Sequence, residues 1–159
     1  MSVRIGFGFD VHQLAAERPL VLGGVVVPFS RGLAGHSDAD VLIHAICDAL
    51  LGAAGLRDIG YHFPDNDQRY KNIDSRELLK NVMEQLSAKR YKVGNIDATL
   101  CLEQPKINPH IPAMKKALSE VLLVPEDDIA IKATTNERMG FIGREEGVAA
   151  YAVALIESV

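Results

Sequence analysis

The chain has 159 residues, 48% apolar and 24% charged, enough for one globular unit (residues 1–159) with a substantial core. Its formal net charge of −4 offers no broad attraction for DNA, RNA or an anionic membrane, and the absence of Trp argues against a base-stacking platform. Met1 to Gly6 lacks the apolar run of a signal peptide, and no segment approaches the ~20 apolar residues of a membrane span. Cys47 and Cys101 form no CxxC unit, so a cytoplasmic protein with two buried thiols is expected.

Val3 to Asp10 reads as a strand ending in the polar pair Asp10 and His12. Leu20–Leu22 and Val25–Val27 read as two short strands joined by Gly23-Gly24, a strong hairpin signal. The first helix is marked by Ser37 as N-cap, Asp40 three residues on, and Gly55 as its stop. Within it Val41, Leu42, Ala45, Ile46, Ala49 and Leu50 repeat at helical spacing, while Asp40, His44 and Asp48 project from one face. Arg57 to Asn72 reads as an irregular loop. A second helix is predicted over Ser75–Lys89, capped by Asp74, followed by a half-buried strand from Val93 to Leu102. A third helix follows Pro109 and ends before Pro125, and Ile129 to Thr134 is a strand running into the loop Thr135–Arg144. Val148 to Ile156 alternates and is rich in β-branched residues, which favours strand over helix. Strands alternating with helices predict an α/β (α+β) sandwich, with helices packed on a mixed sheet.

Asp10 and His12 lie two apart on a strand and so share a face, and His44 comes 32 residues later on the capped helix. Two His and a carboxylate form a sound zinc set, with the fourth position open for water or substrate. Hydrogen-bonded packing of a helix His beside a strand-end Asp-x-His is the plainer alternative. His36-Ser37 at a helix start suits a phosphate, although Ser37 can equally serve as a cap. Thr134, Thr135 and Glu137 at a strand's end, followed by Gly140, Gly143 and Arg144, resemble phosphate handling, with Glu137 a possible magnesium ligand; the alternative is an ordinary polar loop. Lys106 in Gln104-Pro-Lys reads as a solvated surface lysine, the usual fate of lysine.

Arg4-Ile-Gly-Phe-Gly-Phe-Asp-Val-His12 and Ala34-Gly-His-Ser-Asp-Ala-Asp-Val-Leu-Ile-His44 together resemble the 2-C-methyl-D-erythritol 2,4-cyclodiphosphate synthases. The resemblance continues through Asp48–Ala54, Asp58-Ile-Gly-Tyr-His-Phe-Pro-Asp65, Asp74–Leu79, Lys132-Ala-Thr-Thr-Asn-Glu137 and Gly140-Phe-Ile-Gly-Arg144, in order over nearly the whole chain. It implies a ferredoxin-like sandwich assembling as a homotrimer, with active sites between subunits. It implies conversion of 4-diphosphocytidyl-2-C-methyl-D-erythritol 2-phosphate to the cyclic diphosphate and CMP. It also implies one zinc on Asp10, His12 and His44, and a magnesium or manganese ion on Glu137 that bridges the substrate diphosphate. His36 and Thr135 match residues stabilising the transition state. Ser37 matches a ligand of the methylerythritol phosphate, Asp58 and Gly60 of the ribose, and Phe63, Asp65 and Asp67 belong to a loop over the methylerythritol part. Leu102 to Asn108, with Lys106 near the phosphates, and Ala133 to Glu137 would enclose the cytosine from the neighbouring subunit. Phe141 and Arg144 match further substrate contacts. The chain departs from the family pattern at Phe7, at Asn136 and at Leu102-Glu103, none of them a metal ligand. Two rivals remain on the residues alone. One is a zinc phosphodiesterase or pyrophosphatase using Asp40 or Asp58 as base. The other is a non-enzymatic trimeric binding module, which would be expected to lack the ligands or Glu137.

Overall fold

In the computed structural model, which describes residues 1–159, the alternating glycines near the start of the chain set the packing. They lie on β1 (Val3–Ala16). Alternation along a strand puts Gly6, Gly8, Asp10 and His12 on one face and Ile5, Phe7, Phe9 and Val11 on the other. Helix α1 (Val41–Ala53) crosses the glycine face. A Cβ on Gly6 would collide with the carbonyl oxygen of Ala49, and one on Gly8 with that of Ala45. Bare backbone on the strand and the Ala45, Ala49, Ala53 stripe on the helix therefore allow unusually close approach.

β1 continues six residues beyond the predicted end at Asp10, because β7 (Gly147–Ser158) pairs antiparallel with it from Val3↔Glu157 to Gln13↔Gly147 and a further short strand pairs with Leu14–Ala16. Asp10 and His12 thus sit inside a ladder that holds their backbone firmly. β4 (Arg31–Leu33) pairs on the outer edge of β1. β5 (Tyr91–Cys101) runs antiparallel to β7 and parallel to β6 (Ile129–Thr134), giving the sheet order β4-β1-β7-β5-β6. A register shift between Val93 and Asn95 changes which residues face inward, so Val93 and then Ile96, Ala98 and Leu100 are buried. The hairpin of β2 (Leu20–Leu22) and β3 (Val25–Val27) forms as expected.

α1, α3 (Ser75–Ala88) and α4 (Ile111–Leu122) cover one face of this mixed sheet, forming the expected α+β sandwich. The loop from Arg57 to Asn72 contains a short helix, α2 (Ile59–His62), and a 3-10 turn, Gln68–Tyr70; a further short helix, α5 (Gly140–Gly143), lies before β7. The second face of the sheet carries no helix: Ile5, Phe7, Phe9, Val11, Tyr151 and Val153 are exposed there, with the Phe9 and Tyr151 rings 5.1 Å apart. No helix is long and apolar enough to cross a membrane.

The start of α1 differs from expectation. Its N-cap is Asp40, whose Oδ1 accepts the Ile43 N–H at 3.0 Å, whereas Ser37 closes the preceding turn by accepting the Ala39 N–H. Asp40 also accepts the N–H groups of Gly23 and Gly24, so one buried carboxylate ties the hairpin to the helix. Gly55, at φ +69°, follows the C-cap as expected for a helix stop.

Candidate metal centre and adjoining clefts

The close contact of α1 with β1 brings His44 over Asp10 and His12. His12 Nδ1 lies 2.8 Å from the Ala34 carbonyl, which can only accept, so Nδ1 carries the proton and Nε2 offers its lone pair. That Nε2 is 2.8 Å from Asp10 Oδ2 and 3.2 Å from His44 Nδ1, and His44 Nδ1 is 3.1 Å from Asp10 Oδ2. The three predicted ligands therefore converge on one point. A tetrahedral zinc bound at about 2.0–2.1 Å keeps its ligand atoms about 3.3 Å apart, so this donor set takes the ion with shifts of a few tenths of an ångström. Of the three acidic and basic residues along α1, only His44 joins the cluster. Asp40 is turned to the hairpin, and Asp48 accepts the Ile59 N–H at 2.8 Å, fixing the start of α2.

Burial alone raises the Asp10 carboxyl, but hydrogen bonds and charge from His12 and then His44 outweigh it and hold it down at about 2. Burial likewise lowers His12, yet Asp10 reverses the balance and leaves it above 6.5. Burial pushes Asp40 up to about 6, against the opposing effect of its three N–H partners. These directions predict the pH response of the metal-free chain. Asp10 contributes about 2 kcal/mol that is in place above its ordinary value and is lost as pH falls towards 2. The His12 contribution is complete below 6.5 and is lost as pH rises through its raised folded value. Urea unfolding of the metal-free chain is therefore expected to show a gain from this cluster between about pH 4 and 6.5 that Asp10→Asn removes. An Asp10→Asn curve parallel to that of the parent would contradict the pairing.

A cleft of about 490 Å³ opens beside the cluster, lined by His36, Ser37, Gly60, Phe63 and Asp65 among others. His36 Nε2 donates to the Asp67 carbonyl at 2.8 Å, which fixes the ring at the cleft wall, while the Asp67 carboxylate is held by Arg69. Asp58 sits at the N-terminus of α2, two residues before Gly60.

The other predicted residues lie elsewhere. Lys106, Thr134 and Thr135 line a second cleft of about 100 Å³ between the Leu102–Asn108 segment and the end of β6, and it shares no lining residue with the first. Glu137 stands exposed on the adjoining loop. Phe141 lines a third cleft with Val11, His12 and Gln13, and Arg144 pairs with Glu146 at 3.0 Å. Within one chain the Lys106, Thr134 and Thr135 cleft therefore stands apart from the metal cluster, whereas the Phe141 cleft meets the first at His12.

Several residues that shape these clefts were missed by sequence reasoning. Glu103 Oε1 accepts the N–H groups of Asn136 (2.8 Å) and Arg138 (3.2 Å), clamping the loop that presents Glu137. Its signal was present as an unusual residue before Gln104-Pro-Lys, but nothing in the spacing said what it held. Ser75, read only as the first residue of a helix, has its hydroxyl 3.0 Å from His44 Nε2. Cys47 is buried as expected, whereas Cys101 is only half-buried.

The YgbB family model matches residues 3–157. The 2-C-methyl-D-erythritol 2,4-cyclodiphosphate synthase of Bacteroides fragilis (strain YCH46) is 62% identical over 159 residues, covering 100% of both chains. The bifunctional IspDF from Campylobacter jejuni superposes with a TM-score of 0.96 at 41% identity, over 99% of this chain and 43% of that one. The CDP complex of IspF from Plasmodium falciparum superposes with a TM-score of 0.87 at 33% identity, over 99% of this chain and 97% of that one.

Proposed function

The chain belongs to the YgbB family, that of the 2-C-methyl-D-erythritol 2,4-cyclodiphosphate synthases, and from that membership we propose a specific reaction for it. It converts 4-diphosphocytidyl-2-C-methyl-D-erythritol 2-phosphate to 2-C-methyl-D-erythritol 2,4-cyclodiphosphate and CMP. It does so as a cytoplasmic phosphorus–oxygen lyase of non-mevalonate isoprenoid precursor synthesis. The observation that carries the reading is the convergence of Asp10, His12 and His44 at the edge of a cleft walled by His36 and Ser37.

An oxygen of the substrate's 2-phosphate bonds to the β-phosphorus as the bond from that phosphorus to the bridging oxygen breaks. CMP departs with that oxygen and its electron pair. The substrate brings its own nucleophile, so the protein's task is to hold a flexible polyanion in line and to offset charge as it moves. Zinc on Asp10, His12 and His44, and magnesium or manganese on Glu137, would supply positive charge at the phosphate oxygens. Ser37 holds the methylerythritol phosphate, and His36 stabilises the transition state from the cleft wall. Asp58 and Gly60 take the ribose, and the segment carrying Phe63, Asp65 and Asp67 covers the methylerythritol part.

The second cleft, with Lys106, Thr134 and Thr135, receives the cytidine end, and Thr135 supplies a further transition-state contact. Phe141 and Arg144 complete the substrate contacts. Because the second cleft is separate from the metal cluster within one chain, the reading includes a homotrimer in which the second cleft of one subunit faces the metal centre of its neighbour. The uncovered apolar face of the sheet supports that assembly.

Phosphorus NMR of the purified protein with this substrate, zinc and magnesium provides the test. Cyclic diphosphate and CMP are expected. Open-chain phosphates with CMP would mean that water is the nucleophile and the chain is a hydrolase. Tight nucleotide binding without turnover would mean a binding module.

A further inference from the structure

His44 has two ring nitrogens, and only Nδ1 faces Asp10 and His12. The other, Nε2, points into the protein between two serine hydroxyls, Ser75 Oγ at 3.0 Å and Ser37 Oγ at 3.1 Å. All three residues are buried. The Ser75 hydroxyl also lies 2.5 Å from Asp38 Oδ1, and the Ser75 backbone N–H donates to Asp38 Oδ2 at 3.0 Å. Asp38 Oδ1 accepts the Asp40 N–H as well. Asp38 is thus gripped by the start of α3 on one side and by the turn leading into α1 on the other.

The direction of the protons follows from what each group can do. A carboxylate only accepts, so the single hydroxyl proton of Ser75 goes to Asp38. Towards His44, Ser75 then has only a lone pair to offer, and His44 Nε2 must donate. With the proton on Nε2, Nδ1 presents its lone pair to Asp10 Oδ2 and His12 Nε2. Three acceptors face one another, which is the arrangement a cation satisfies. We propose that Asp38 and Ser75 are positioning residues of the metal centre: the chain Asp38–Ser75–His44 fixes the His44 tautomer and ring orientation, and so determines how tightly the cluster holds a divalent metal. The inference rests on the zinc role proposed for His44.

The same logic separates the two serines. Ser37 Oγ accepts the Ala39 N–H, and it cannot usefully donate to a protonated Nε2. Its proton is left for the cleft that it lines. Ser75, at the first position of α3 and absent from that lining, orients the ligand from behind.

The test uses zinc alone, added to chelator-stripped wild type, Ser75→Ala, Ser75→Thr and Asp38→Asn. Affinity is read by chelator competition, and melting of each metal-free protein is followed alongside. Histidine ring nitrogens are followed by ¹⁵N–¹H NMR at mildly alkaline pH. Wild-type His44 is expected to carry its proton on Nε2 before any metal is added. Ser75→Ala should lose that tautomer preference and bind zinc about 10–100-fold more weakly, as is usual when a partner of a ligating His is removed. It keeps the Ser75 backbone bond to Asp38, so its metal-free melting should stay near that of the wild type, and Ser75→Thr should restore both readouts. Asp38→Asn also loosens the start of α3, so Ser75→Ala decides if that variant fails to fold. A Ser75→Ala affinity within about twofold of wild type, or a wild-type His44 without the Nε2 proton, would overturn the relay. A wild type with the expected tautomer that takes up no zinc would instead overturn the zinc role in the proposed function.

Discussion

Mixing two inactive variants will restore turnover. His44→Ala removes one member of the proposed zinc cluster, and Thr135→Ala removes a hydroxyl from the second cleft. Each is expected to lower turnover by at least about 100-fold, the usual cost of losing a preorganised group at the reacting phosphates. Their clefts share no lining residue in a single chain. If a working site pairs the metal half of one subunit with the Thr135 half of the next, random trimers from equal parts contain both intact halves at about a quarter of their interfaces. Co-expressed, differently tagged variants should therefore show about a quarter of wild-type activity, far above either parent. The fraction distinguishes assembly from contamination, because it follows the product of the two subunit fractions when the mixing ratio is changed. If every mixture gave only the sum of its parents, both halves would be working within one subunit, and the proposed trimeric site would be wrong.

The reason such a site is hard to read from sequence lies in where each residue gets its partners. Leu20–Leu22, Val25–Val27 and Ile129–Thr134 were legible to the residue, since turn glycines and β-branched runs act locally. The end of the first strand was misplaced because Asp10 and His12 look like a boundary. Only the pairing with β7, far along the chain, keeps them extended. Asp10, His12 and His44 were legible as possible ligands by residue type and by the face each shares. Their convergence depends on the close packing of α1 on β1, which no local pattern carries. Ser37 shows the limit of local signals most clearly. A Ser three residues before an Asp at a helix start fits a capping box, yet Asp40 takes the cap, because its carboxylate also satisfies Gly23 and Gly24 on the hairpin. The roles of Asp38, Ser75 and Glu103 are tertiary throughout. Each is a polar residue whose partner is distant in sequence or unmarked by any spacing rule.

Two substitutions of the same chemical size are expected to act with opposite sign, and they isolate what positions His44. At Gly8 a new Cβ would meet the carbonyl oxygen of Ala45, which is helix backbone and has no rotamer to yield. Gly8→Ala must therefore lift α1 from the sheet, opening a core in which Ala45, Ile46, Ala49 and Leu50 are fully buried. Overpacking costs about 1–3 kcal/mol when side chains can adjust, and a backbone collision belongs at or above the top of that range. At Gly52, on the exposed side of the same helix, a Cβ meets nothing within 4 Å. Gly52→Ala should stabilise the chain by about 0.5–1 kcal/mol through helix propensity alone. Urea unfolding gives both values. Zinc affinity measured on the folded fraction then separates stability from positioning, since His44 directly precedes Ala45 on α1 and moves with it. Gly8→Ala should bind zinc more weakly, while Gly52→Ala should leave zinc binding unchanged. If Gly8→Ala lost stability yet kept wild-type zinc affinity, the cluster would be set by the β1 ladder and the hydrogen bonds around His44, and the close strand–helix contact would serve the core alone.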